Sequence, residues 1–161
     1  MSSASCVDTR PLEAILARYP AEEASLIQVL QDVQRAYNYL PCDVLVKVAE
    51  TLGVPLAKVF SVGTFYKAFA LKPQGRTVIK VCTGTACHIR GATQLVDELE
   101  RTLKIKPDET TPDLRFTVKT VNCVGACAMA PVLIVGETYH GNAKAAKLGS
   151  YLAAKEAGDE N

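Results

Sequence analysis

Four cysteines stand in two closely spaced pairs. Cys82 and Cys87 enclose Thr83-Gly84-Thr85-Ala86, and Cys123 and Cys127 enclose Val124-Gly125-Ala126. Thiolates are soft ligands that iron–sulfur clusters and zinc both accept. Both loops are built from small residues and each contains a glycine. Glycine lets backbone approach a bulky inorganic core and turns N–H groups towards sulfur. Four thiolates on two such loops are the ligand set of a [2Fe–2S] cluster. A structural four-cysteine zinc site takes C-x2-4-C spacings and stays open at this point. A dithiol oxidoreductase would want C-x-x-C at a helix N-terminus, a spacing neither pair has. His88 adjoins Cys87, but a loop histidine near a helix start is a simpler reading than a thiol–imidazole nucleophile. His140 reads as a turn residue. Cys6 and Cys42 stand alone and read as incidental, Cys42 at a helix start beside Pro41.

Loops of this kind hang from strand ends, and the second half of the chain supplies them. Thr77–Cys82 is β-rich, with Val78, Ile79 and Val81, so the first pair begins at a strand end. Ala92, Leu95, Val96, Leu99 and Leu103 then form a helical stripe over about residues 88–104. Residues 106–113 are polar, with two prolines. Leu114, Phe116, Val118 and Thr120 alternate with polar residues, the period of a half-buried strand that leads to the second pair. Residues 132–135 read as a short buried strand, 137–141 as a turn into an edge strand, and 143–157 as a terminal helix. The order is β-α-β-β-α on a sheet of four strands or fewer, an α+β arrangement. The acidic end, residues 158–161, reads as frayed.

Residues 1–72 read as helical. Pro11 starts a short helix carrying Leu12, Ile15 and Leu16. Glu22 and Glu23 follow Pro20 in the first turn of the next, where the helix dipole favours acids. Leu26, Ile27, Leu30, Val33 and Tyr37 form its buried stripe, and Asn38 and Pro41 end it. Val44, Leu45, Val48, Ala49 and Leu52 mark a third helix closed by Gly53. Pro55 opens a fourth with Leu56, Val59 and Phe60, and the aromatic run 63–69 continues a small bundle. The break falls at Lys72-Pro73-Gln74-Gly75-Arg76.

The 161 residues are 48% hydrophobic and 22% charged, an ordinary globular composition. Eighteen Lys and Arg against 17 Asp and Glu leave a net charge of +1, with no electrostatic reason to expect nucleic acid or an anionic membrane as partner. The first residues lack the basic and apolar regions of a signal peptide, and no apolar run is long enough for a span. The expectation is a cytoplasmic chain with no direct membrane insertion, or one peripheral to a membrane through a complex. In a reducing compartment, clustered cysteines point to metal or redox chemistry rather than structural disulfides. No G-x-G-x-x-G fingerprint or P-loop is present, so NAD and flavin are expected elsewhere.

The combination Cys82-x4-Cys87, Arg90-Gly91-Ala92, Cys123-x3-Cys127 and Ala130-Pro131 resembles the thioredoxin-like [2Fe–2S] ferredoxin subunits of NADH-dependent oxidoreductases. That family includes the small peripheral-arm subunit of respiratory complex I. It also includes counterparts in NAD-linked and electron-bifurcating hydrogenases and in some formate dehydrogenases. The helical half is similar as well, in Leu30-Gln31-Asp32-Val33-Gln34, Tyr39-Leu40-Pro41 and Thr64-Phe65-Tyr66, so the likeness covers nearly the whole chain. It implies an N-terminal helical, partner-docking domain over residues 1–74 and a thioredoxin-like [2Fe–2S] domain over 75–161. It implies one [2Fe–2S] cluster on Cys82, Cys87, Cys123 and Cys127, with FMN and NAD(H) on a partner subunit. The chain would then be an electron-transfer subunit, not catalytic alone. It would exchange single electrons with a flavin-containing, NAD(H)-binding subunit, beside further iron–sulfur subunits of a hetero-oligomeric complex. The first loop, Cys82 to His88, looks more like the hydrogenase and bifurcating members than like complex I proper. The alternative is a non-redox assembly module with structural zinc.

Overall fold

Prolines and glycines punctuate the chain, and the computed structural model, which describes residues 8–156, follows them. It divides into two compact units, Met1–Pro73 and Gln74–Asn161. Cys6 and the acidic end, residues 158–161, lie outside the described residues.

Among its described residues the first unit has four helices: α1 (Arg10–Leu16), α2 (Leu26–Tyr37), α3 (Cys42–Leu52) and α4 (Leu56–Phe65), with a 3-10 turn at Glu23–Ser25. Pro11 sits in the first turn of α1, where its missing N–H costs nothing. Asn38 ends α2 and Gly53 ends α3, both in the left-handed region (φ 62° and 63°). The core is aliphatic, with Leu30, Val33, Leu45, Val48 and Val59 fully buried. One stripe position differs from expectation. Ile27 is 39% exposed, and Val29 is buried in its place. The packed face follows i, i+3, i+4, i+7 from Leu26, and Ile27 falls to its flank. The aromatic run also divides. Phe69 is buried and Phe60 half-buried, while Phe65, at the end of α4, is 79% exposed and meets Tyr66 edge to face at 5.0 Å.

The second unit is a four-stranded sheet in the order β2-β1-β3-β4, with β1 Thr77–Cys82, β2 Phe116–Val121, β3 Leu133–Val135 and β4 Thr138–His140. β1 and β2 are parallel, so they require a crossover, which α5 (Thr85–Ile89) and α6 (Ala92–Leu103) provide. β3 is antiparallel to β1, and β4 to β3. α6 and α7 (Leu148–Glu156) pack against the sheet and each other, burying Leu95, Leu99 and Leu148 over Ile79, Val81 and Leu133.

Three details depart from the sequence expectation. The helix drawn over 88–104 is two helices broken at Gly91, whose φ of 101° suits glycine alone. The strand begins at Phe116, because Leu114 is in the left-handed region (φ 55°) and 49% exposed. Thr111 and Asp113 form the tight turn that puts it there: the Leu114 and Arg115 amides donate to Thr111 O and Asp113 Oδ1. His140 is the last residue of a strand and stacks on Tyr151, with ring centroids 4.5 Å apart.

Candidate metal centre

Parallel pairing puts the C-terminal ends of β1 and β2 side by side, with Cys82 opposite Val121. Both cysteine loops therefore leave the sheet from one end. Thr83 ties their origins together, its amide and hydroxyl both donating to Val121 O at 2.8 and 3.2 Å. The Cys82 amide donates to Val132 O at 3.1 Å, anchoring the strand end on its other side. Gly84 then opens α5, its carbonyl accepting from the His88 amide at 2.8 Å, and α5 carries Cys87 inward. Cys82 and Cys87 are 2% exposed. Cys123 lies in the loop after β2, and Cys127 begins a 3-10 turn, Cys127–Met129; both are exposed. At Gly84 the two loops approach closely: a Cβ there would lie 2.7 Å from Asn122 O.

All four cysteines line one cavity of about 550 Å³, together with Gly84, Thr85, Ala86, Ile89 and Asn122. Burial raises the Cys82 thiol. Hydrogen bonds from the Gly84 amide, the Cys87 thiol, the Val124 amide and the Cys123 thiol outweigh it, and the net shift is downward, towards thiolate. Cys87 moves up, first through burial and then through its contact with Cys82. The Gly125 amide donates to Cys123 Sγ at 3.4 Å. Amides of both loop glycines thus face sulfur, as the loop composition suggests. Among the described residues no three His, Cys, Asp or Glu side chains are grouped to hold a single metal ion. A two-iron core asks only for two thiolates at each iron. Soft donors, small lining residues and amides aimed at sulfur fit such a core.

The other sequence candidates are not among the residues that line this cavity. His88 is exposed, with its Nδ1 3.4 Å from Thr93 Oγ1. Cys42 is exposed at the start of α3 in the first unit. Sequence reasoning missed Ile89 and Asn122 as lining residues, because nothing in ligand spacing singles out a neighbour. It gave Arg90 and Ala130 no role, yet the Arg90 guanidinium donates to Ala130 O at 3.5 Å, joining the segments that follow the two cysteine pairs. The Ala130–Pro131 peptide is cis.

A thiol-lined cavity at one end of a small mixed sheet, with helices packed on it, defines a metal-binding redox domain of the thioredoxin type. The profile of thioredoxin-like [2Fe–2S] ferredoxins matches residues 12–156, and the chain belongs to that family. Membership implies one [2Fe–2S] cluster. The chain is 43% identical over 141 residues to a subunit of the NADH-quinone oxidoreductase of Rhizobium meliloti (strain 1021), covering 88% of this chain and 84% of that one. It is 40% identical over 144 residues to the HndA subunit of the NADP-reducing hydrogenase of Solidesulfovibrio fructosivorans, covering 89% and 84%. Among solved structures, an NAD+-reducing [NiFe]-hydrogenase in the air-oxidized state superposes with a TM-score of 0.69 at 22% identity. That alignment covers 83% of this chain but only 23% of the hydrogenase chain, and it speaks for the fold. Among the described residues no helix is long and apolar enough to cross a membrane.

Proposed function

We propose that Cys82, Cys87, Cys123 and Cys127 hold the [2Fe–2S] cluster and that the chain works as an electron-transfer subunit of a multi-subunit NAD(H)-linked oxidoreductase. The observation that carries this is the convergence of both cysteine pairs on one cavity at the paired ends of β1 and β2. When bound, the cluster supplies one-electron chemistry at low potential, with plant-type clusters near roughly −400 mV as the reference. The chain's own groups ligate, orient and tune. Buried Cys82 and Cys87 fix one side of the centre, and exposed Cys123 and Cys127 leave the other open towards a partner. The Gly84 and Gly125 amides offset negative charge on sulfur.

NADH delivers two electrons as a hydride, so a flavin must split the pair before a one-electron centre can accept one. The sequence offers no dinucleotide fingerprint. FMN and NAD(H) are therefore assigned to a flavoprotein partner, with further iron–sulfur subunits beyond it. The first cysteine loop favours a hydrogenase or bifurcating complex over respiratory complex I, while the Rhizobium and Solidesulfovibrio relatives stand on either side of that division. The helical unit is assigned to docking, since Phe65 and Tyr66 leave apolar ring surface uncovered.

Replacing Cys82 or Cys123 by Ala tests the site directly. Each change removes a quarter of the ligand set and is expected to abolish the visible absorption and the bound iron. Unchanged spectrum and iron content in both variants would overturn the assignment.

A further inference from the structure

We propose that Arg90 is a positioning residue for this centre, holding the two cysteine-bearing segments together and favouring its reduced form through charge. The proposal rests on the ligand assignment above. In segments 82–91 and 121–131, which contain both pairs, Arg90 is the one residue with a permanent charge; no Asp, Glu or Lys occurs in either. It follows Cys87 by three residues, and its amide closes α5 on Ala86 O at 3.2 Å. Its guanidinium donates to Ala130 O, and Ala130 follows Cys127 by three residues. Ala130 is 2% exposed, and its own amide donates to Cys127 O at 3.2 Å. One cation thus joins the end of the first cysteine helix to the turn that carries the last cysteine.

Two consequences follow. The hydrogen bond to a buried residue's carbonyl resists separation of the loops, which would pull the sulfurs apart. The charge also acts on the redox equilibrium. Four thiolates around a sulfide-bridged iron pair make a net negative centre, and reduction adds one more negative charge. A fixed positive charge on the exposed Arg90, held at the junction of the two cysteine-bearing segments, stabilises the reduced state more than the oxidised one. Arginine suits the position because a guanidinium keeps its charge and offers a rigid fork of donors.

The test compares the full-length chain with R90Q and R90K, measuring iron and inorganic sulfide per chain and the midpoint potential by spectroscopic titration. R90Q is expected to keep the stoichiometry and lower the midpoint, making reduction severalfold less favourable; tenfold corresponds to about 59 mV for one electron. R90K keeps the charge and is expected to keep most of the midpoint. The R90Q shift should shrink as salt is raised, which a purely structural loosening would not do. If R90Q loses iron while R90K retains it, the positioning role stands. A wild-type midpoint in R90Q, or equal shifts or equal loss of iron in both variants, overturns the proposal. Absence of iron and sulfide from the wild-type chain would instead refute the ligand assignment on which it rests.

Discussion

At the scale of single residues, a few atoms set how closely the two cysteine loops can approach. Gly84 is needed for its missing side chain: a Cβ would sit 2.7 Å from Asn122 O, a backbone atom that cannot swing aside. G84A should cost on the order of 1–3 kcal/mol through overpacking and should weaken retention of the cluster. G149A, in α7 with open space around the added methyl, should be neutral or stabilise by about 0.5–1 kcal/mol. Thermal unfolding of both variants checks the pair, and an equal response would show that the close approach does not matter. The cysteine pairs were legible because ligand spacing is local in sequence. Asn122, Ile89 and the Arg90 contact were not, because they arise when two loops distant in sequence meet in space.

At the scale of elements, the tie between α2 and the segment that follows α1 has a pH signature. The Tyr19 hydroxyl donates to Asp32 Oδ2 at 2.7 Å, and Arg18 lies 2.8 Å from the same oxygen. The Tyr19 hydrogen bond, aided by Arg18 and Arg35 and opposed by burial, holds the Asp32 carboxyl below its ordinary value. A carboxyl lowered by folding contributes stability above its unfolded value near about 3.9 and loses it as pH falls through the folded value. D32N should therefore destabilise the helical unit at neutral pH by about 1–3 kcal/mol. The gap to wild type should close progressively below about pH 4. Urea midpoints across that range are the check, and a gap independent of pH would contradict the assignment.

Element type was largely readable, because apolar periodicity, Pro55 and Gly53 all act locally. The errors have local physical causes. Alternating hydrophobicity cannot reveal that Thr111 and Asp113 turn Leu114 into the left-handed region. A continuous stripe from Ala92 to Leu103 cannot reveal a separate five-residue helix just before it. That short helix matters most for the site, since it takes Cys87 into the interior.

At the scale of the molecule, each unit has its own core, one lined with aliphatic helices and one built on a sheet. The division of labour assigned to them makes a further prediction. Phe65 is 79% exposed, so F65S should leave thermal stability nearly unchanged. If the helical unit docks the flavoprotein subunit, the same change should weaken binding by roughly tenfold, the usual scale for an aromatic anchor. Titration with the purified partner measures this, and full affinity in the variant would remove Phe65 from the interface. Both roles depend on the metal centre. Its most direct test is the iron, zinc and inorganic sulfide content of the full-length chain purified without oxygen. Two irons and two sulfides per chain with little zinc are expected; one zinc and no sulfide would contradict the cluster assignment.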